Sequence, residues 1–212
     1  MKCGLINYGR GNLASVRKAL VNSGTKVCDI TAAEQFDSVE AVVFPGQGHF
    51  GESVTKLTDM GLVDPIKQWI EADKPFLGIC LGFQLLFEES EESPGVDGLG
   101  ILKGKVVRFP SNVGKIPHMG WNVVKAQDKQ NSLFRELSAT PYFFHVHSYY
   151  PEGVDADVVA CFTEYGVKFV SGIRKGNIHA FQFHPEKSQA NGIKLLDAFV
   201  AFVKSYGTQS RI

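Results

Sequence analysis

A chain of 212 residues with 44% hydrophobic and 21% charged content has the size and composition of one sizeable α/β domain of a soluble globular protein. Its 22 basic residues balance 22 acidic ones, and no basic cluster breaks that balance, so neither nucleic acid nor an anionic membrane surface is expected as a partner. No apolar run approaches the roughly 20 residues of a membrane helix, and the opening MKCGLINYGRGN is too short in apolar residues for a secretion signal. The expected compartment is therefore the cytoplasm, with Cys3, Cys28, Cys80 and Cys161 reduced. None of the four lies in a C-x-x-C pair, which argues against a zinc ribbon or a thioredoxin-like site.

Lys2 to Asn7 reads as a strand, and Gly9 and Gly11 mark the turn after it. Leu13, Val16 and Leu20 recur at helical spacing until Ser23-Gly24 stops them. Val27 to Ile30 is a second strand, and Ala41 to Phe44 a third, ended by Pro45-Gly46. Leu57, Leu62, Ile66 and Ile70 define a helical region broken near Gly61. Phe76 to Ile79 is the fourth strand, and Leu81 to Phe87 the next helix. This alternation predicts a mostly parallel central sheet flanked by helices. From Lys105 to about Ile178 the runs KVVRF, WNVVK, YFFHVHSYY, DVVACF and KFVSGIR alternate with turns, predicting antiparallel or mixed strands added to the sheet in the C-terminal half. NIHAFQFHPE follows, and Asn191 to Tyr206 reads as a closing helix. With no repeat or linker, residues 1–212 are expected to form a single α/β domain.

One stretch, KPFLGICLGFQLLFEES, sets a cysteine between two glycines where a strand gives way to a helix. G-x-C-x-G has the form of a nucleophile elbow, in which small neighbours permit a strained turn that pushes the side chain beyond the strand end. Free backbone N–H groups after the bend favour a thiolate. A lone cysteine more often packs as a small apolar group; the elbow context reverses that for Cys80 and for no other cysteine. A nucleophilic thiol needs a base and the base an orienting group. His184, at the end of the strand-like run FQFHPEKS, and Glu186, two residues on across Pro185, supply such a pair. An oxyanion needs donors: the N–H of Leu81 is one, and the Gly46-Gln47-Gly48 backbone, bare enough to approach a substrate, is the candidate for another. His145 and His147 alternate on one strand, but no third ligand has convincing spacing, so no metal is expected. Trp121, beside glycine and proline in IPHMGWN, is suited either to the core or to partial exposure at an interface.

GICLGFQLLF, PGQGHF and FHPEKS together resemble the class I (triad) glutamine amidotransferases. INYGRGNLASV, IPHMGWN and HSYY narrow the resemblance to the glutaminase subunits of imidazole glycerol phosphate synthases, over nearly the whole chain from Ile6 to Ser188. Two positions depart from the common pattern: Phe83 stands where Met is usual, and Gln47 where Val is usual. The resemblance implies that Cys80 attacks the side-chain amide of L-glutamine and that His184 carries the thiol proton to departing ammonia. Glu186 orients the imidazole, and water releases glutamate from a thioester. Gln84 and the segment His147-Ser148-Tyr149 would hold the substrate, and no cofactor is needed. Because the whole chain is used for this one domain, the ammonia must pass to another chain, which the resemblance names as a cyclase subunit making imidazole glycerol phosphate and AICAR in histidine biosynthesis. His118, Trp121 and Lys187 are the expected partner-interface residues. The rival readings are an amidotransferase subunit serving another pathway, a stand-alone cysteine hydrolase or peptidase, and a catalytically silent binding subunit.

Overall fold

The computed structural model describes residues 1–127 and 133–209. The first half is built from β1 (Lys2–Ile6), α1 (Leu13–Asn22), β2 (Lys26–Ile30), β3 (Ala41–Gly46), α2 (Phe50–Asp59), α3 (Val63–Glu71), β4 (Phe76–Cys80) and α4 (Leu81–Gln84). The second half adds β5 (Glu89–Ser90), β6 (Lys105–Arg108), β7 (His118–Ala126), β8 (Tyr142–His147), β9 (Tyr149–Glu152), β10 (Val159–Tyr165), β11 (Val167–Lys175), β12 (Ile178–Phe181) and α5 (Gln189–Gln209). Among the described residues one sheet has nine strands in the order β2-β1-β3-β4-β12-β11-β10-β7-β8. Its first five strands run parallel, and the remainder pair antiparallel.

Alternation along the strands sends successive side chains to opposite faces, and each face meets its own helices. Val42, Phe44 and Phe76 pack with Leu57 of α2 and Ile66 and Trp69 of α3. Ala41, Val43, Leu77 and Ile79 pack with Val16 and Leu20 of α1 and Leu196 and Phe199 of α5. The central strands β3, β4 and β12 are buried throughout, as expected for parallel strands covered on both sides.

Three expectations change. Pro45 and Gly46 do not end the third strand but belong to it. KVVRF and the second half of YFFHVHSYY leave the main sheet: the latter breaks at Ser148, and β6 and β9 join β5 in a separate three-stranded sheet. The helix expected over Leu81 to Phe87 is a single turn. After that turn the chain tightens to i→i−3 bonds, Leu86 N–H donating to the Phe83 carbonyl at 3.2 Å and Phe87 N–H to the Gln84 carbonyl at 3.1 Å, and the carbonyls of Leu85, Leu86 and Phe87 accept from Leu99, Ile101 and Gly100 at 2.8, 2.9 and 3.2 Å, so no helix runs on.

Candidate active site

In a parallel sheet the strand carboxyl ends lie along one edge, and three adjacent strands bring the expected residues there. Gly46 of β3 stands opposite Cys80 of β4, and Ile79 stands opposite Phe181 of β12, three residues before His184. The bend at Cys80 has φ 56° and ψ −108°, a conformation disfavoured for a residue with a Cβ and characteristic of functional strain. Its flanking glycines are required by packing: a Cβ on Gly82 would lie 1.8 Å from the Phe44 carbonyl oxygen, and one on Gly78 would lie 2.9 Å from the Ala180 Cβ. Only hydrogen at these positions lets β4 turn tightly against its two neighbours.

His184 and Glu186 are buried together, and His184 Nδ1 lies 2.8 Å from Glu186 Oε1. Burial pulls the His184 pKa down, but the charges of Cys80 and Glu186 outweigh it and push it up to about 10. A thiol, an imidazole and a carboxylate in this order can hold an imidazolium beside a thiolate. The helix after Cys80 has only four residues, so its macrodipole is small.

The cleft over these residues has a volume of about 370 Å³. Cys80, His184, Gln84, His147, Ser148 and Tyr149 all line it, and Gln47, Gly48, Leu81 and Lys187 border it. Gly48 has φ +108°, whereas Gly46 does not have positive φ. A Cβ on Gly46 would meet Leu81 Cβ at 2.8 Å and Gly82 N at 3.0 Å. Conformational freedom therefore resides at Gly48, and Gly46 is a glycine because the elbow leaves it no space. Glu92 also faces the cleft and accepts from Phe50 N–H at 2.7 Å, tying the start of α2 to the site. No local motif marks Glu92.

The interface expectation for His118 needs correction. His118 and Trp121 are three residues apart on β7, so the pleat sends them to opposite faces. Trp121 is 44% exposed with Met119 beside it at 65%, whereas His118 is only 3% exposed. Lys187 Nζ lies 5.9 Å from the Phe144 ring centre, and Trp121 packs edge-on to the same ring at 6.2 Å. Trp121 and Lys187 thus share Phe144 as a common support.

His118 instead joins His145 and His147 in a buried trio, paired across the strands with His147. His118 Nδ1 and His145 Nδ1 each lie 3.2 Å from His147 Nε2. The third imidazole escaped the sequence reading because it comes from the neighbouring strand. Hydrogen-bond partners locate the protons. His147 Nδ1 donates to the Tyr149 carbonyl at 2.8 Å, leaving Nε2 as an acceptor. The Asn122 amide is oriented by Val123 N–H and the Glu164 carbonyl and so donates to His118 Nε2 at 3.2 Å. His118 Nδ1 then carries its proton toward His147, where a metal ion would need a lone pair.

Burial holds these rings neutral, with His118 pulled down to about 4, His147 to about 3 and His145 well below its ordinary value. His179, buried elsewhere, is likewise pulled down to about 3. Each gains a proton on unfolding once the pH falls below about 6.5, so stability is whole above that value and is withdrawn as pH falls toward 4. His184, raised, acts in the opposite sense between about 6.5 and 10. Thermal midpoints should fall more steeply from pH 6.5 to 4.5 than from pH 7 to 9. A midpoint constant down to pH 4.5 would mean the four rings are charged in the folded protein.

Residues 5–202 match the family model "Glutamine amidotransferase class-I". The fold agrees with a solved structure of PurLQS from Thermotoga maritima at a TM-score of 0.75 and 18% identity, covering 95% of this chain and 98% of that one. The chain belongs to the class I glutamine amidotransferases. Within them it is 46% identical over 200 residues to imidazole glycerol phosphate synthase subunit HisH of Aquifex aeolicus, covering 94% of this chain and 96% of that protein. It is 42% identical over 207 residues to the HisH subunit of Desulfitobacterium hafniense, covering 98% and 97%.

Proposed function

We propose that this chain is the glutaminase subunit of an imidazole glycerol phosphate synthase, hydrolysing L-glutamine through Cys80, His184 and Glu186. The observation that carries the reading is the strained elbow cysteine at the end of β4, with the buried His184–Glu186 pair at the end of the adjoining strand. His184 takes the thiol proton, and the resulting thiolate attacks the amide carbon. The oxyanion is met by the Leu81 N–H and by the backbone of Gly46-Gln47-Gly48, and the tetrahedral adduct collapses by expelling ammonia with the proton from His184. Water then hydrolyses the thioester to glutamate. Gln84, Ser148 and Tyr149 at the cleft wall hold the amino-acid end of the substrate. Positive φ at Gly48 supports rotation of the Gln47–Gly48 peptide between two orientations, one of which aims its N–H at the oxyanion.

Ammonia that reaches bulk water is protonated and lost as a nucleophile, so the cleft requires a cover. The cyclase subunit docks on the face bearing Met119, Trp121 and Lys187, where Trp121 shares the Phe144 ring with Lys187 of the cleft border. The pair acts in histidine biosynthesis in the cytoplasm; no helix among the described residues is long and apolar enough to cross a membrane.

The test is a glutaminase assay with and without the cyclase and its substrate. Glutamine hydrolysis should rise on assembly, with about one imidazole product per glutamine consumed. Trp121→Ala and Lys187→Ala should each lower that ratio or weaken assembly, by about thirtyfold in affinity for a hot-spot tryptophan, while ammonium-dependent synthesis persists. Full glutaminase rate without the cyclase, or activity on peptides, would favour a stand-alone hydrolase.

A further inference from the structure

Gln182 lies between Phe181 and Phe183, both fully buried, and is itself 0% exposed. A carboxamide so placed is costly unless its groups are bonded. Its Oε1 accepts from Gln84 Nε2 at 3.0 Å, and its Nε2 points at Cys80 Sγ from 3.9 Å. We propose that Gln182 is a further catalytic residue of the glutaminase, an N–H donor to the nucleophilic sulfur whose direction is set by the Tyr149 carbonyl through Gln84. The proposal rests on the reading of Cys80 as nucleophile.

The direction follows from acceptors and donors alone. A backbone carbonyl can only accept, and that of Tyr149 accepts from Gln84 Nε2 at 3.0 Å and from His147 Nδ1 at 2.8 Å. Gln84 must therefore turn its amide nitrogen inward, where it also faces Gln182. Gln182 answers with its oxygen, and its nitrogen is left toward Cys80. Reversing either carboxamide would set two donors or two acceptors against each other. A buried apolar side chain at 182 would fill the same space with no such polarity.

An N–H aimed at sulfur is worth little to a thiol and more to a thiolate, because bonds to charged groups are the stronger ones. The donor thus acts twice. It favours the thiolate before attack, and it stabilises the negative charge that returns to sulfur with the electron pair when the C–S bond of the thioester breaks. The 3.9 Å separation is long, as catalytic hydrogen bonds often are before substrate closes the site. His184 holds the proton from one side of the sulfur, and Gln182 steadies the charge without competing for it.

The test uses the full chain and follows iodoacetamide labelling of Cys80 between pH 5 and 9. Gln182→Met, which keeps the volume and removes the donor, should require about one pH unit more alkaline conditions for half-maximal labelling. With the cyclase present, its kcat for glutamine should fall about tenfold with little change in KM. Labelling and kcat superimposable on the wild type would overturn the proposal. If Gln182→Met does not fold, the side-chain amide of Gln182 in the ¹⁵N-labelled wild type carries the test. Its protons should shift along the Cys80 labelling profile, and that shift should vanish in Cys80→Ser. An amide resonance flat across the range overturns the proposal equally. Glutamine hydrolysis surviving in Cys80→Ser would instead remove the nucleophile reading itself, so the two failures are distinguishable.

Discussion

Cys80→Ser should abolish glutamine hydrolysis, by a factor on the order of 10⁴ or more, while the assembled complex still makes product from added ammonium. Serine matches the shape of cysteine, so the elbow at φ 56° remains and so does the docking face. What is lost is the sulfur anion. A hydroxyl is far harder to ionise than a thiol, and nothing in the pocket compensates: the nearest donors and the His184 imidazolium are set for a thiolate. Persistence of ammonium-dependent synthesis shows that the defect is confined to ammonia production. Cys3, Cys28 and Cys161 provide no substitute, since Cys3 and Cys161 are buried with thiols pushed up to about 12 by that burial, and Cys28 lies on the edge strand β2, with β1 and β3 between it and β4. Hydrolysis retained in this variant would remove Cys80 from the mechanism.

The second large effect is a ranking. His184→Ala should cost on the order of 10⁶ in kcat and Glu186→Gln on the order of 10⁴. His184 moves the proton at both chemical steps, whereas Glu186 only orients the ring and balances its charge. Its carboxylate meets Nδ1 at 2.8 Å from a site where both side chains are almost wholly covered, so a glutamine in its place keeps the packing. A carboxamide can present its NH₂ to the ring, however, and would then stabilise the wrong tautomer. It also removes one of the charges that raise the His184 pKa to about 10. Steady-state rates of the two variants, compared in the same complex, check the ranking. A costlier Glu186→Gln would mean the roles are misassigned.

The triad candidates were legible in the sequence because each rests on neighbours in the chain. The elbow needs two glycines within two residues of Cys80, and the His-Pro-Glu turn spans three residues. Short-range geometry of this kind is carried wherever the segment goes. That the first strands run parallel was equally readable, because apolar runs alternate with helical periodicity. The resemblance to the class I glutamine amidotransferases rested on the same local segments, and the family match bears it out.

Other features depended on which distant segments meet, and sequence periodicity carries no information about that. Placing β12 beside β4 puts His184 next to Cys80 and lets Gln182 reach a sulfur 102 residues away. The register of β7 on β8 sets His118 against His147 and turns it from the surface into a buried trio, while the same pleat leaves Trp121 outside. The stop after α4 is shared with the 99–102 segment, whose N–H groups take the carbonyls of Leu85, Leu86 and Phe87 that would otherwise carry a helix onward. Local chain chemistry determined which groups can react. Strand order and register decided which of them touch, because hydrogen bonds and packing between remote strands form only once the whole sheet is assembled.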